Sequence, residues 1–161
     1  MVSLKLSNKA KTLENLSKVI KSAKVLQLYR FKVIKYKNEQ FKIIKNIQEK
    51  FNNNIIIRSS SYNEDNTETS NAGKFDTAKN INVKDIKSIK KAIEQIIISY
   101  GKNYNKNDEI FVQPMLFDVQ MSGVIFSCDI DTLSPYYTIN YDESGSTDSV
   151  TSGYGNELTT F

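Results

Sequence analysis

Arg58 leaves a run of three isoleucines, Ile55, Ile56 and Ile57, and enters a stretch rich in hydroxyls. Ser59, Ser60 and Ser61 come first, then the acidic pair Glu64 and Asp65, a Ser/Thr/Asn run, Gly73 and Thr77. An apolar strand that delivers an arginine into a polar, glycine-containing loop is suited to cradling phosphate. The guanidinium binds phosphate oxygens in pairs, and hydroxyls and backbone N–H groups satisfy the rest. An ordinary solvated loop has the same composition, so the pattern alone leaves both readings open. Lys9 is a second candidate. It sits just inside a predicted helix start, where a lysine and the helix N-terminus both attract anions. The single cysteine, Cys128, excludes an internal disulfide and reads as a small buried hydrophobe on a strand rather than a nucleophile. There is no histidine, which removes the commonest general base and metal ligand.

The elements that must position these residues follow from periodicity. Ala10, Leu13, Leu16 and Ile20 predict a helix over 8–21, with Ser7 or Asn8 as cap. Residues 25–36 alternate β-branched and aromatic residues with lysines and predict one or two half-buried strands. Phe41, Ile44, Ile47 and Phe51 mark a second amphipathic helix, stopped by three asparagines at 52–54. The longest helix is marked by Val83, Ile86, Ile89, Ile93, Ile96, Ile97 and Tyr100, with Asn82 as N-cap and Gly101 just past its end. From Asp108 onwards the period becomes two. Strands are predicted over 109–117, 119–128 and 136–142, with Asp118 turning the first two into a hairpin. The expected fold class is α/β (α+β), with a mixed or antiparallel sheet and packed helices.

The 161 residues suffice for one domain with a real core. No apolar run approaches a membrane span, and the basic N-terminus lacks the apolar stretch of a signal peptide. With a lone cysteine, this predicts a cytoplasmic protein. Net charge is +4, unevenly spread: residues 1–53 carry 13 Lys/Arg and 3 Asp/Glu, whereas residues 108–161 carry 9 Asp/Glu and no Lys or Arg. The basic third does not interleave aromatics as RNA-binding modules do, so nucleic acid is not the expected partner. Its plainer reading is a set of lysine-rich solvated faces.

Taken in order, Arg58-Ser59-Ser60, Glu64-Asp65 and Ser70-Asn71-Ala72-Gly73-Lys74-Phe75-Asp76-Thr77 resemble the ATP-binding domain of the phosphoenolpyruvate synthase and pyruvate phosphate dikinase family. That family carries R-S-S/G, E-D and S-x-A-G-x-x-E/D-T at this spacing. Lys9 and Leu13 match its G-G-K-x-x-x-L segment, with Ser7 and Asn8 in place of both glycines. The stretch from Ile110 to Leu116 is similar to its V-V-V-Q-x-M-V strand, and that from Met121 to Ser127 to its S-G-V-x-F-T strand, where Gly123 reads as structural. Residues 145–153 occupy the place of its G-L-G-E-x-V-V-x-G, with Thr147 for the second glycine and Asp148 for the glutamate.

The resemblance implies an ATP-grasp-like nucleotide site. Lys9, Arg58, Ser59, Gly73 and Thr77 would meet phosphates, and backbone groups of Gln113 and Met115 would read adenine at a hinge strand. It implies ATP and Mg2+ as cofactors, with metal ligands outside this chain. The matched segments cover the front of the family's domain, so the chain is expected to be one partial ATP-binding domain. About 1–107 would form a helix and strand subdomain with the phosphate loop at 58–77, and about 108–161 the hinge strand and hairpin region. The expected enzyme is a dikinase-like phosphotransferase whose phosphohistidine and acceptor domains are absent here. ATP and those domains would be its partners, without a membrane. The acceptor would be pyruvate or an amide such as L-glutamine, as in kinases of capsule phosphoramidate synthesis, and the lost glycines lean towards a non-pyruvate acceptor. The chain alone is expected to be inactive. The competing reading is a non-catalytic module that uses the basic first third to bind RNA or a partner protein.

Overall fold

The computed structural model describes residues 7–61, 77–101, 104–105, 107–129, 132–146, 150 and 159–160. The chain divides into two compact units, Met1–Met115 and Leu116–Phe161. The first unit holds a four-stranded antiparallel sheet in the order β1-β4-β2-β3, made of β1 (Tyr29–Lys32), β2 (Ile55–Ser60), β3 (Thr77–Ile81) and β4 (Glu109–Pro114). Its helices are α1 (Lys9–Val19), α2 (Val33–Asn38), α3 (Gln40–Lys50) and α4 (Ile86–Ser99).

Strand side chains alternate between faces, and directly opposed antiparallel residues share a face. One face therefore carries Phe31, Ile55, Ile57, Ile110 and Val112. These pack with Val33 and Tyr36 of α2, Ile43, Ile44 and Ile47 of α3, and Ile89, Ala92, Ile93 and Ile96 of α4 into one core. Phe111 and Ala10 are fully buried yet stand outside that core. They belong to the other face, where α1 lies: the Ala10 N–H donates to Ser60 Oγ at 3.0 Å.

Four expectations are corrected by packing. Only Tyr29–Lys32 of the 25–36 stretch is strand, and Val33–Asn38 is helix. Val33 and Tyr36 must both reach the core, and three-residue spacing puts both on one face only in a helix. In α3 the buried residue of the first turns is Ile43, whereas Phe41 is 88% exposed. The α4 cap is Asp85, whose carboxylate accepts from the Lys87 and Ser88 N–H groups; Asn82 instead closes the preceding turn by accepting from the Lys84 N–H. Gly101 does follow α4 with φ +80°, a conformation open to glycine at little cost.

The fourth correction concerns the hairpin. β4 pairs with β1 and β2, not with its successor, so Asp118 turns no hairpin there. The strand expected over 109–117 is shorter, Glu109–Pro114, and belongs to the first unit, which runs to Met115. In the second unit, β5 (Ser122–Phe126) pairs with β6 (Thr138–Asp142), which pairs with β7 (Thr159–Thr160), all antiparallel. Gly123 is structural as expected: a Cβ there would lie 2.7 Å from the Asn140 carbonyl oxygen. No helix among the described residues is long and apolar enough to cross a membrane.

Candidate functional site

Four residues line up across the sheet on the face away from the core: Arg30 on β1, Phe111 on β4, Arg58 on β2 and Thr77 on β3. One step further along that face, Gln113 stands opposite Ile56. Two guanidiniums thus flank one buried ring, and they are used differently. Arg30 donates from Nε and Nη2 to Glu14 Oε2 at 3.0 and 2.8 Å, and from Nη1 to Glu109 Oε1 at 2.8 Å. Burial by itself lowers the Arg30 pKa, but the bonds and charges of Glu14 and Glu109 outweigh it and raise it above the ordinary value. Arg58 instead lies over the Phe111 ring, its guanidinium carbon 5.7 Å from the centroid, in cation–π geometry. Among the described residues it makes no ion pair with a carboxylate. Half-buried on an aromatic platform, its guanidinium makes no side-chain hydrogen bond among the described residues, and its planar fork is suited to an anion.

Lys9 enters the same face through α1. Asn8 caps that helix by accepting from the Lys11 N–H, and its own Nδ2 donates to Glu109 Oε2 at 3.0 Å. The backbone on both sides of Lys9 is thereby tied to the sheet, through Asn8 to β4 and through the Ala10 N–H to Ser60 on β2. Lys9 and Arg58 therefore stand on elements joined by direct hydrogen bonds.

The root of the polar loop is fixed too. The Tyr100 hydroxyl accepts from the Ser60 N–H and donates to the Glu109 carbonyl, bridging the end of the β2–β4 ladder. Ser61 Oγ donates to Asp108 Oδ1, and Asp108 Oδ2 accepts from the Asn105 N–H. Ser59 departs from the group: it opposes Ile110 on the core face and is buried. Thr77 is exposed beside Arg58, with which it is in register. Gly73, Glu64 and Asp65 lie outside the described residues, as do 147–149 and 151–153 of the second glycine-bearing stretch.

At the expected hinge strand, the Met115 N–H donates to the Asn54 carbonyl at 2.9 Å, so it is not an open donor for a base. Gln113, two residues back in the same register, turns its N–H and C=O to the same side, towards Ile56. Pro114 has no N–H, but its carbonyl faces the other edge, beyond the end of β1 at Tyr29. At this strand end the Pro114 carbonyl is turned away from β2, and the Gln113 side chain, on the outer face, is buried. That differs from backbone reading by Gln113 and Met115.

Sequence reasoning missed Arg30, Glu14, Glu109, Phe111, Tyr100 and Asp108. Glu109 alone carried a signal, a carboxylate opening a largely apolar strand. No group of three Asp, Glu, Cys or His residues among the described ones could hold a metal ion. A magnesium cage does not fit them.

The model for the pyruvate phosphate dikinase, AMP/ATP-binding domain, matches residues 5–156. The chain belongs to that family, and the ATP-binding part of a dikinase-like enzyme is what the family implies. No curated protein matches the chain.

Proposed function

We propose that the chain binds ATP on the outer face of the first sheet, as part of a phosphotransferase. Lys9, Arg58 and Thr77 meet the phosphates, Phe111 supports Arg58, and the strand end at Gln113–Met115 borders the base. Ser59 acts only by shaping β2, and Gly73 belongs to the loop that completes the phosphate cradle. The phosphoryl group then passes through a histidine on another domain to a small acceptor, pyruvate or an amide such as L-glutamine. Magnesium is held by residues other than those described here.

The observation that carries this reading is the contrast between two arginines in one row. Arg30 is neutralised by two carboxylates, while Arg58, beside the helix start that carries Lys9, has none among the described residues. Arg58 is half-buried and stacked on a ring, so its guanidinium is positioned without a carboxylate partner among the described residues and retains the fork that suits a phosphate. The test is an NMR titration of the 161-residue protein with Mg-ATP to millimolar concentration. Shifts are expected on β2, the start of α1 and the end of β4. Arg58→Ala is expected to weaken binding about tenfold to hundredfold, the equivalent of a charge-assisted bidentate contact of about 1.5–3 kcal/mol. Equal affinity in that variant would reject the phosphate role.

A further inference from the structure

We propose that Glu109 is a positioning residue for the nucleotide site: through Asn8 it sets the start of α1, and with it Lys9. The inference rests on the ATP reading above and adds to it the means by which this chain places its lysine. The family pattern has two glycines before the lysine, and this chain has Ser7 and Asn8. Asn8 adopts φ −60° and ψ 161°, an extended conformation open to any residue, so the backbone here does not need glycine. What holds it is a side chain. Asn8 caps α1 with Oδ1 and is itself held through Nδ2 by Glu109.

Glu109 is buried, and its two oxygens divide their work: Oε2 takes Asn8, and Oε1 takes Arg30. Arg30 in turn holds Glu14, one helical turn and more along α1. The carboxylate therefore fixes α1 at its first turn directly and further along through Arg30. Ala10, the residue after Lys9, is bonded to Ser60 on the neighbouring strand. Lys9 is thus the one residue between two tethers, one to β4 and one to β2. A site needs such support behind the groups that touch the ligand, because a long side chain on a loose helix end gives little binding.

The tether can be cut without removing the cap. Asn8→Ser retains a good N-cap but is too short to span to Glu109. Glu109→Gln replaces one of the two acceptor oxygens with an NH2 donor, which cannot accept from Asn8 or from Arg30. The experiment is the NMR titration with Mg-ATP on the full chain, for the wild type, Asn8→Ser, Glu109→Gln, Lys9→Ala and Lys9→Ala combined with Asn8→Ser. Amide spectra check that each variant is folded. We expect Asn8→Ser and Glu109→Gln each to weaken binding by about threefold to tenfold, and Asn8→Ser to have no further effect once Lys9 is alanine. A merely structural tether would weaken binding equally with and without Lys9, and that additivity would overturn the inference. So would full affinity in Asn8→Ser alongside a loss in Lys9→Ala, which leaves the ATP reading intact. Loss in Arg58→Ala with none in Lys9→Ala would reject the inference while sparing the phosphate role of Arg58. No wild-type shifts up to millimolar Mg-ATP would reject the ATP reading, and the inference with it.

Discussion

At the scale of single residues, type and neighbours in sequence singled out Arg58 as a candidate and passed over Arg30, and the reason is separation. Arg58 stands where an apolar strand gives way to hydroxyls, a change visible within six residues. The partner that commits Arg30, Glu109, is 79 residues away in the chain. The two arginines should therefore differ in what their removal costs the fold. Arg30→Ala leaves Glu109, whose side chain is 7% exposed, with a buried charge and no cation. Breaking such a pair costs about 3–5 kcal/mol when fully buried, and Arg30 is itself 30% open, so about 2–3 kcal/mol is expected. Arg58→Ala should cost well under that, since it removes a ring contact of about 0.5–1 kcal/mol and no ion pair among the described residues. Urea unfolding of both variants checks the ordering. An Arg58→Ala variant less stable than Arg30→Ala would mean that Arg58 is the structural member of the row.

At the scale of elements, helices with long stripes were legible, and the choice of side was not. Both Phe41 and Ile43 lie at helical spacing from the stripe of α3, and only the packing on the sheet decides between them. Phe41→Ser should change stability by no more than about 0.5 kcal/mol, as for an exposed site. Ile43→Ala should cost about 2–5 kcal/mol, because the cavity opens in the core. Equal losses in thermal melts would place Phe41 back in the core. Residues 25–36 were read as one or two half-buried strands, and α2 was missed there, because a half-buried run of alternating lysines fits either period over so short a length. The cap of α4 was misplaced by three residues, since Asn82 and Asp85 are both good capping types. Asp85 has its pKa lowered, first by its side-chain bond to the Ser88 hydroxyl and then by the Ser88 N–H. A depressed carboxylate pKa contributes stability that is fully present above the unfolded value, about 3.9, and is lost as pH falls through the folded one. The stability gap between wild type and Asp85→Ala should therefore be constant near neutrality and close below about pH 4. A gap that widens on acidification would exclude this linkage.

At the scale of the whole molecule, the two units differ in composition as well as in connectivity. Residues 1–115 contain all 22 Lys/Arg, while residues 116–161 contain seven Asp/Glu and no basic residue. The charge asymmetry was plain in the sequence, but the place of division was not, because β4 reads as the opening of an all-β run and only its pairing with β1 and β2 assigns it. The chain has no histidine to receive a phosphoryl group, so no phosphate should be retained on it, and no steady release of ADP or AMP is expected with Mg-ATP. Sustained release in a coupled assay would show a complete catalytic site within these residues. A stronger test of the architecture is a chain cut after Met115. Among the described residues, every member of the core between the sheet and α2, α3 and α4 falls between Phe31 and Val112, buried Ala10 also precedes the cut, and no strand of the second unit pairs with the first sheet. All seven residues singled out for the nucleotide, from Lys9 to Met115, also lie on the N-terminal side of the cut. Residues 1–115 should consequently unfold in one cooperative transition by circular dichroism, because the burial that drives folding is intact. Their affinity for Mg-ATP should stay within about threefold of the full chain, a difference of about 0.7 kcal/mol. A non-cooperative melt would mean that the first unit depends on residues 116–161 for its fold. A cooperative melt with a tenfold loss of affinity would mean that those residues contribute ligand contacts of their own.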